Sequence, residues 1–198
     1  MNSRIVNPDQ YRRMPWRNGG GETIEIAKFP PDSDLDDFGW RVSTATVGAD
    51  GPFSIFHGID RTLCVLSGNG ISLTFGGDKS LILDKDTAPF SFRGDVPVVA
   101  RLIDGPIADL NVMTRRAGWR HAVQRHHLRT DEILVLNTPA AHTIVLCQAG
   151  AIGVGDAMDP SHLECGAALL IDDYARECKL RASATTTAFV ILIDHANT

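Results

Sequence analysis

The run GPFSIFHGIDRTLCVLSGNG, residues 51–70, holds the side chain with the clearest chemical demand in this 198-residue chain, Arg61. Read as extended from Ile55 to Val65 with a bend at Gly58, the run alternates so that His57, Ile59, Arg61, Leu63 and Val65 share one face. A guanidinium among Ile, Leu and Val cannot shed its charge, so it needs a carboxylate or an anionic ligand that accepts paired hydrogen bonds. Two partners stay open: an internal acid, Asp60 or Asp109, or a small carboxylate from solution. His57 on the same face either donates to that ligand or fills the interior as a core imidazole.

Period two supplies further polar candidates. Arg41 and Ser43 in WRVSTA share a strand face, as do Asp109 and Asn111 in DLNVM. Each pair reads either as the polar rim of a pocket or as ordinary sheet-surface residues. In WRNGGGETIEI, residues 16–26, the three glycines suggest a phosphate loop, but Ile24 stands where the dinucleotide fingerprint needs a third Gly. The Gly-Lys-Ser/Thr of a nucleotide-triphosphate loop is also missing, since Glu22 and Thr23 follow Gly21. The glycines therefore read as a sharp strand entrance that places Trp16 as an aromatic wall and Asn18 as a two-way hydrogen-bonder near a pocket. His121, His126 and His127 lack a Cys, Asp or Glu at ligand spacing, so no metal is assigned to them.

The elements that must position these residues are short. TIEIAKF, WRVSTATV, ISLTF, EILVLN and AFVILIDH are rich in Val, Ile, Thr and Leu and lie between Gly, Pro, Asp and Asn clusters, with almost no helical period. The chain reads as all-β, with turns at sandwich or jelly-roll spacing and too many strands for one small barrel. Two barrel-like halves follow, joined through the basic stretch of residues 115–129.

Composition narrows the function classes. Nineteen Lys and Arg against 24 Asp and Glu give a net charge of −5, which disfavours nucleic acid and anionic membrane as partners. The stretch RRAGWRHAVQRHHLR is a local exception and reads as a solvated surface. Four cysteines in mostly apolar surroundings, without a CxxC pair, fit reduced core thiols, and the polar, basic first residues hold no apolar leader run; the expected location is the cytoplasm.

The motifs WRNGGGETIEI, FGWRVSTATV, GPFSIFHGIDRTLCVLSGNG, PFSFRG and DLNVMTRR, in that order, resemble the signatures of the HutD/Ves family, bicupin proteins associated with bacterial histidine utilisation. The resemblance is close over residues 10–116. It implies a double-stranded β-helix, the RmlC-like jelly roll or cupin: an N-terminal cupin with the pocket over residues 1–116 and a degenerate second cupin over residues 117–198. In metal cupins the first motif ends with a Glu, six intervening residues and a Gly. Here Arg61 takes the place of that Glu ahead of Gly68, the His pair becomes Ile55 and His57, and the second-motif His is Gly94. A cation in the ligand sphere repels a divalent metal. The resemblance therefore implies a protein without metal or other cofactor that binds a small carboxylate through Arg61, with His57, Trp16, Asn18, Arg41, Ser43 and Asn111 around it. It further implies a non-catalytic role, sensing or buffering urocanate or formylglutamate and limiting expression of the pathway. The alternative is a metal-independent isomerase or epimerase with His57 as base and Asp60 or Asp109 orienting it. Pairing into a homodimer and a separate protein partner for signalling complete the expectations.

Overall fold

In the computed structural model, residues 2–17, 19–77, 79–137, 140–155, 161–172 and 177–196 are described, and among them the regular elements are strands and one 3-10 turn. The strands are β1 (Asn2–Val6), β2 (Arg12–Pro15), β3 (Gly21–Phe29), β4 (Trp40–Val47), β5 (Gly51–Pro52), β6 (Ile59–Ser67), β7 (Ile71–Phe75), β8 (Lys79–Leu83), β9 (Phe90–Arg93), β10 (Val98–Leu102) and β11 (Ile107–Arg115). They continue with β12 (Trp119–Leu128), β13 (Ile133–Leu136), β14 (His142–Ala149), β15 (Ala151–Val154), β16 (Ser161–Glu164), β17 (Ala168–Asp172), β18 (Cys178–Ala182) and β19 (Thr186–His195). The fold is all-β, as the alternating Val, Ile and Thr runs require. Among the described residues no helix is long and apolar enough to cross a membrane.

Two compact units form. One spans residues 11–120 and is built from a six-stranded sheet, β2-β3-β4-β11-β6-β9, and a four-stranded sheet, β5-β10-β7-β8. Leu63 and Val65 of the larger sheet and Ile71, Leu73, Val98 and Ala100 of the smaller meet in one apolar core. Its strands are antiparallel and their order jumps between sequence-distant partners, the signature of a cupin jelly roll. The other unit holds β1 and β12–β19, in sheets β1-β17-β14-β19-β12 and β13-β18-β15-β16, around Val145, Cys147, Ile152, Leu163 and Leu180.

Three details depart from the sequence reading. The first strand sorts with the second half, because Asn2–Val6 pairs residue for residue with Ala168–Asp172 of β17. That long-range pairing puts the first ten residues with the second unit, and the division in mid-chain falls after residue 120 where the sequence reading has 116/117. The extended run from Ile55 to Val65 is also interrupted: residues 57 and 58 form a turn, Gly58 has φ +73°, and β6 starts only at Ile59. A left-handed φ at that point favours Gly and breaks the alternation that carried His57 onto the face of Arg61. Finally, of the four free cysteines, Cys64, Cys147 and Cys178 are buried, but Cys165 is exposed.

Candidate functional site

Residues directly opposite one another on neighbouring strands share a sheet face. On the six-stranded sheet one row therefore runs Phe92, Arg61, Met113, Arg41 and Lys28. The next row runs Phe90, Leu63, Asn111, Ser43 and Glu25, and a third Val65, Asp109, Ala45 and Thr23. Because Leu63 and Val65 belong to the core, this is the interior face of the sandwich. Alternation thus delivers six polar side chains, Glu25, Arg41, Ser43, Arg61, Asp109 and Asn111, into an interior where each is buried.

Arg61 is held by a neutral group. Its Nε donates to Asn111 Oδ1 at 2.7 Å, its Nη2 donates to the same oxygen, and Asn111 Nδ2 donates to Asp109 Oδ1. The guanidinium carbon stands 4.3 Å from the Phe53 ring centre and 5.5 Å from that of Phe92, a cation–π seat that excludes water. Burial draws the Arg61 pKa down to about 10, Asp109 opposes that and Arg41 adds to it, so the group keeps its charge at neutral pH. Burial also pushes the Asp109 carboxyl up to about 7, against the pull of Arg61, the Ala45 backbone N–H and Asn111. Arg41 is satisfied differently: its Nε donates to Glu25 Oε2 at 2.7 Å, and Lys28 Nζ lies 3.7 Å from Glu25 Oε1. Three basic side chains, Arg41, Arg61 and Lys28, thus share the face with two acids, Glu25 and Asp109, the second of them raised by burial. The surplus is positive and is centred on a guanidinium whose hydrogen-bonding partner is an amide.

Arg61, Arg41, Ser43 and Asn111 come together as the sequence suggests. The internal partners weighed for Arg61 separate. Asp60 accepts from Arg116 Nε at 2.8 Å, whereas Asp109 reaches Arg61 through Asn111. Trp16 is half-buried against the same apolar core and donates from Nε1 to Thr23 Oγ1 at 2.8 Å. Gly21 explains part of the glycine run: a Cβ there would lie 2.1 Å from the Thr46 carbonyl oxygen and 3.1 Å from the Trp16 ring. Asn18 lies outside the described residues. His57 is a correction: exposed in the Gly58 turn, it stands outside β6 and outside the buried array.

Sequence reasoning missed Glu25, Lys28, Phe53 and Phe92. Glu25 alternates inside TIEIAKF and was open to detection, but a register shift between Glu25 and Ala27 changes the phase that brings Lys28 beside it. Among the described residues no group of three or more His, Cys, Asp or Glu is placed to hold a metal.

Comparison with known proteins adds ancestry to this geometry. The HutD family model matches residues 8–190. Protein Ves of Citrobacter koseri is 44% identical over 109 residues, 53% of this chain and 56% of that protein. An uncharacterized 21.2 kDa protein in the hutC 3' region of Pseudomonas putida is 38% identical over 121 residues, 61% of this chain and 63% of that protein. The chain thus spans less than two thirds of the length of these curated relatives. A conserved protein of unknown function from Pseudomonas aeruginosa PAO1 superposes with a TM-score of 0.88 at 30% identity, covering 98% of this chain and 100% of its own. HutD from Pseudomonas fluorescens SBW25, solved in a formate condition, gives 0.81 at 30% identity with the same coverage. YhhW from Escherichia coli, 9% identical with a TM-score of 0.71, shares the fold alone.

Proposed function

The chain belongs to the HutD family, and on that premise we propose that it is a non-catalytic binding protein for a small carboxylate of histidine degradation, urocanate or N-formylglutamate. The observation that carries this reading is the pairing of buried Arg61 with the neutral oxygen of Asn111 rather than with a carboxylate. A guanidinium pinned by an amide keeps its full charge for a guest, and the guest's oxygens supply the charge-assisted hydrogen bonds that the fold leaves unmade. Phe53, Phe92 and Trp16 add apolar walls that strengthen such an ion pair by excluding water. The relative from the hutC region supports the link to the histidine-utilisation locus. Binding informs or limits expression of the pathway through a separate protein partner.

The experiment is a thermal-stability titration. N-formylglutamate or urocanate raises the melting temperature of the metal-free protein by mass action, and Arg61→Ala removes the rise. An undiminished rise in Arg61→Ala contradicts the anchor.

A further inference from the structure

Anchoring an anion needs Arg61 and Asn111, yet an acid, Asp109, stands behind them. Asp109 is 1% exposed, two residues along β11 from Asn111 and on the same face. Its carboxyl accepts from Asn111 Nδ2 and from the Ala45 backbone N–H, and Asn111 Oδ1 takes two N–H groups of Arg61. A line of hydrogen bonds therefore runs from carboxyl through amide to guanidinium. Charge on Asp109 is felt at Arg61 without direct contact.

The other groups facing Asp109 fix the balance. From β4 come Arg41 and Ser43, from β6 Arg61, and from β3 Thr23, Glu25 and Lys28. Glu25 is already taken by Arg41 at 2.7 Å and Lys28 at 3.7 Å. β9 and the opposite sheet contribute apolar side chains such as Phe92, Leu73 and Val98. Asp109 and an incoming carboxylate must therefore divide the same guanidinium in a water-poor space. Two like charges so placed do not both stay ionised.

We propose, resting on the anchor reading of Arg61, that the site takes up a proton together with its carboxylate and that Asp109 is the group that receives it. With Asp109 ionised, the internal acid balances Arg61. With Asp109 protonated, the guanidinium is left to the ligand. Burial already holds this carboxyl near neutrality, at about 7, so the exchange falls in the near-neutral range. The sign follows from linkage: affinity is high at and below that pH and falls above it, by up to about tenfold per pH unit where one full proton accompanies each anion.

Calorimetric titration with N-formylglutamate tests this, because its carboxylates stay ionised between about pH 6 and pH 8.5. Repeating the titration in two buffers of different ionisation enthalpy counts the protons taken up. The expected result is uptake approaching one proton per ligand toward pH 8.5, with affinity at least about fivefold weaker there than at pH 7. In Asp109→Asn both the uptake and the pH dependence disappear while binding persists. Wild-type binding without proton uptake overturns this inference alone, and uptake that survives in Asp109→Asn overturns the role of Asp109. Absence of wild-type binding at every pH overturns the anchor reading and this inference with it.

Discussion

Asn111→Asp is the sharpest perturbation of the Arg61 array, since it changes a neutral oxygen to a charged one with almost no change of shape. The oxygen that accepts from Arg61 Nε at 2.7 Å would then be anionic, and the guanidinium would have its carboxylate inside the protein. Asp109, already held near neutrality by burial, would keep its proton and donate it to the new carboxylate, so the local fold is expected to survive. A guest carboxylate about 5 Å from the introduced charge, at an effective dielectric of about 20, meets a repulsion of about 3 kcal/mol, which weakens binding roughly a hundredfold or more. At a ligand concentration that is about 100 times the wild-type Kd, binding stabilises the wild type by about 2.7 kcal/mol, or roughly 5–10 °C for a chain of this size. The variant at the same concentration retains about 0.4 kcal/mol, roughly 1 °C. Differential scanning fluorimetry with N-formylglutamate reads both. A full wild-type shift in Asn111→Asp refutes the argument that a neutral partner keeps Arg61 available.

Other expectations use different observations. Because the Asp109 pKa lies above its ordinary 3.8 in the folded chain, at about 7, the native state holds the proton more tightly than the unfolded one. Wild-type stability measured against Asp109→Asn by urea denaturation therefore falls as pH rises from about 4 to about 7, by at most about 4 kcal/mol, and then levels off; a pH-independent difference contradicts the burial of that carboxyl. Gly21→Ala puts a Cβ onto the Thr46 carbonyl, 2.1 Å away, and is expected to cost about 1–3 kcal/mol in thermal unfolding; a neutral substitution would show that β3 and β4 separate freely there. Urocanate or N-formylglutamate incubated with the protein in heavy water is expected to return without carbon-bound deuterium by mass spectrometry. Incorporation would favour an isomerase, and its base would be sought at Asp109, since His57 is exposed.

Much of the fold was legible because its signal is local. Alternating Val, Ile, Thr and Leu between turn residues specify strands, and an Arg at position 61 between Ile59 and Leu63 announces its own need for a partner. Arg41, Ser43 and Asn111 followed by the same period-two logic. What stayed hidden depends on departures from period two or on distant pairing. The positive φ of Gly58 ends the extended run before His57 joins it, and the register shift after Glu25 brings Lys28 beside Arg41. Phe53 lies beyond the end of a two-residue strand, so no periodicity marks it as the ring beneath Arg61. The pairing of β1 with β17 joins residues 162 to 170 positions apart, and local pattern carries no trace of such a partner.

If the proposed function holds, a small carboxylate occupies one position, against the Arg61 guanidinium. A crystal structure of the protein grown with N-formylglutamate tests it most directly. Difference density is expected for a carboxylate with its oxygens about 2.7–3.0 Å from the Arg61 guanidinium nitrogens, beside Phe53 and Phe92 and with Asn111 still in place. Ligand bound at another site, with Arg61 engaged only by Asn111, would contradict it.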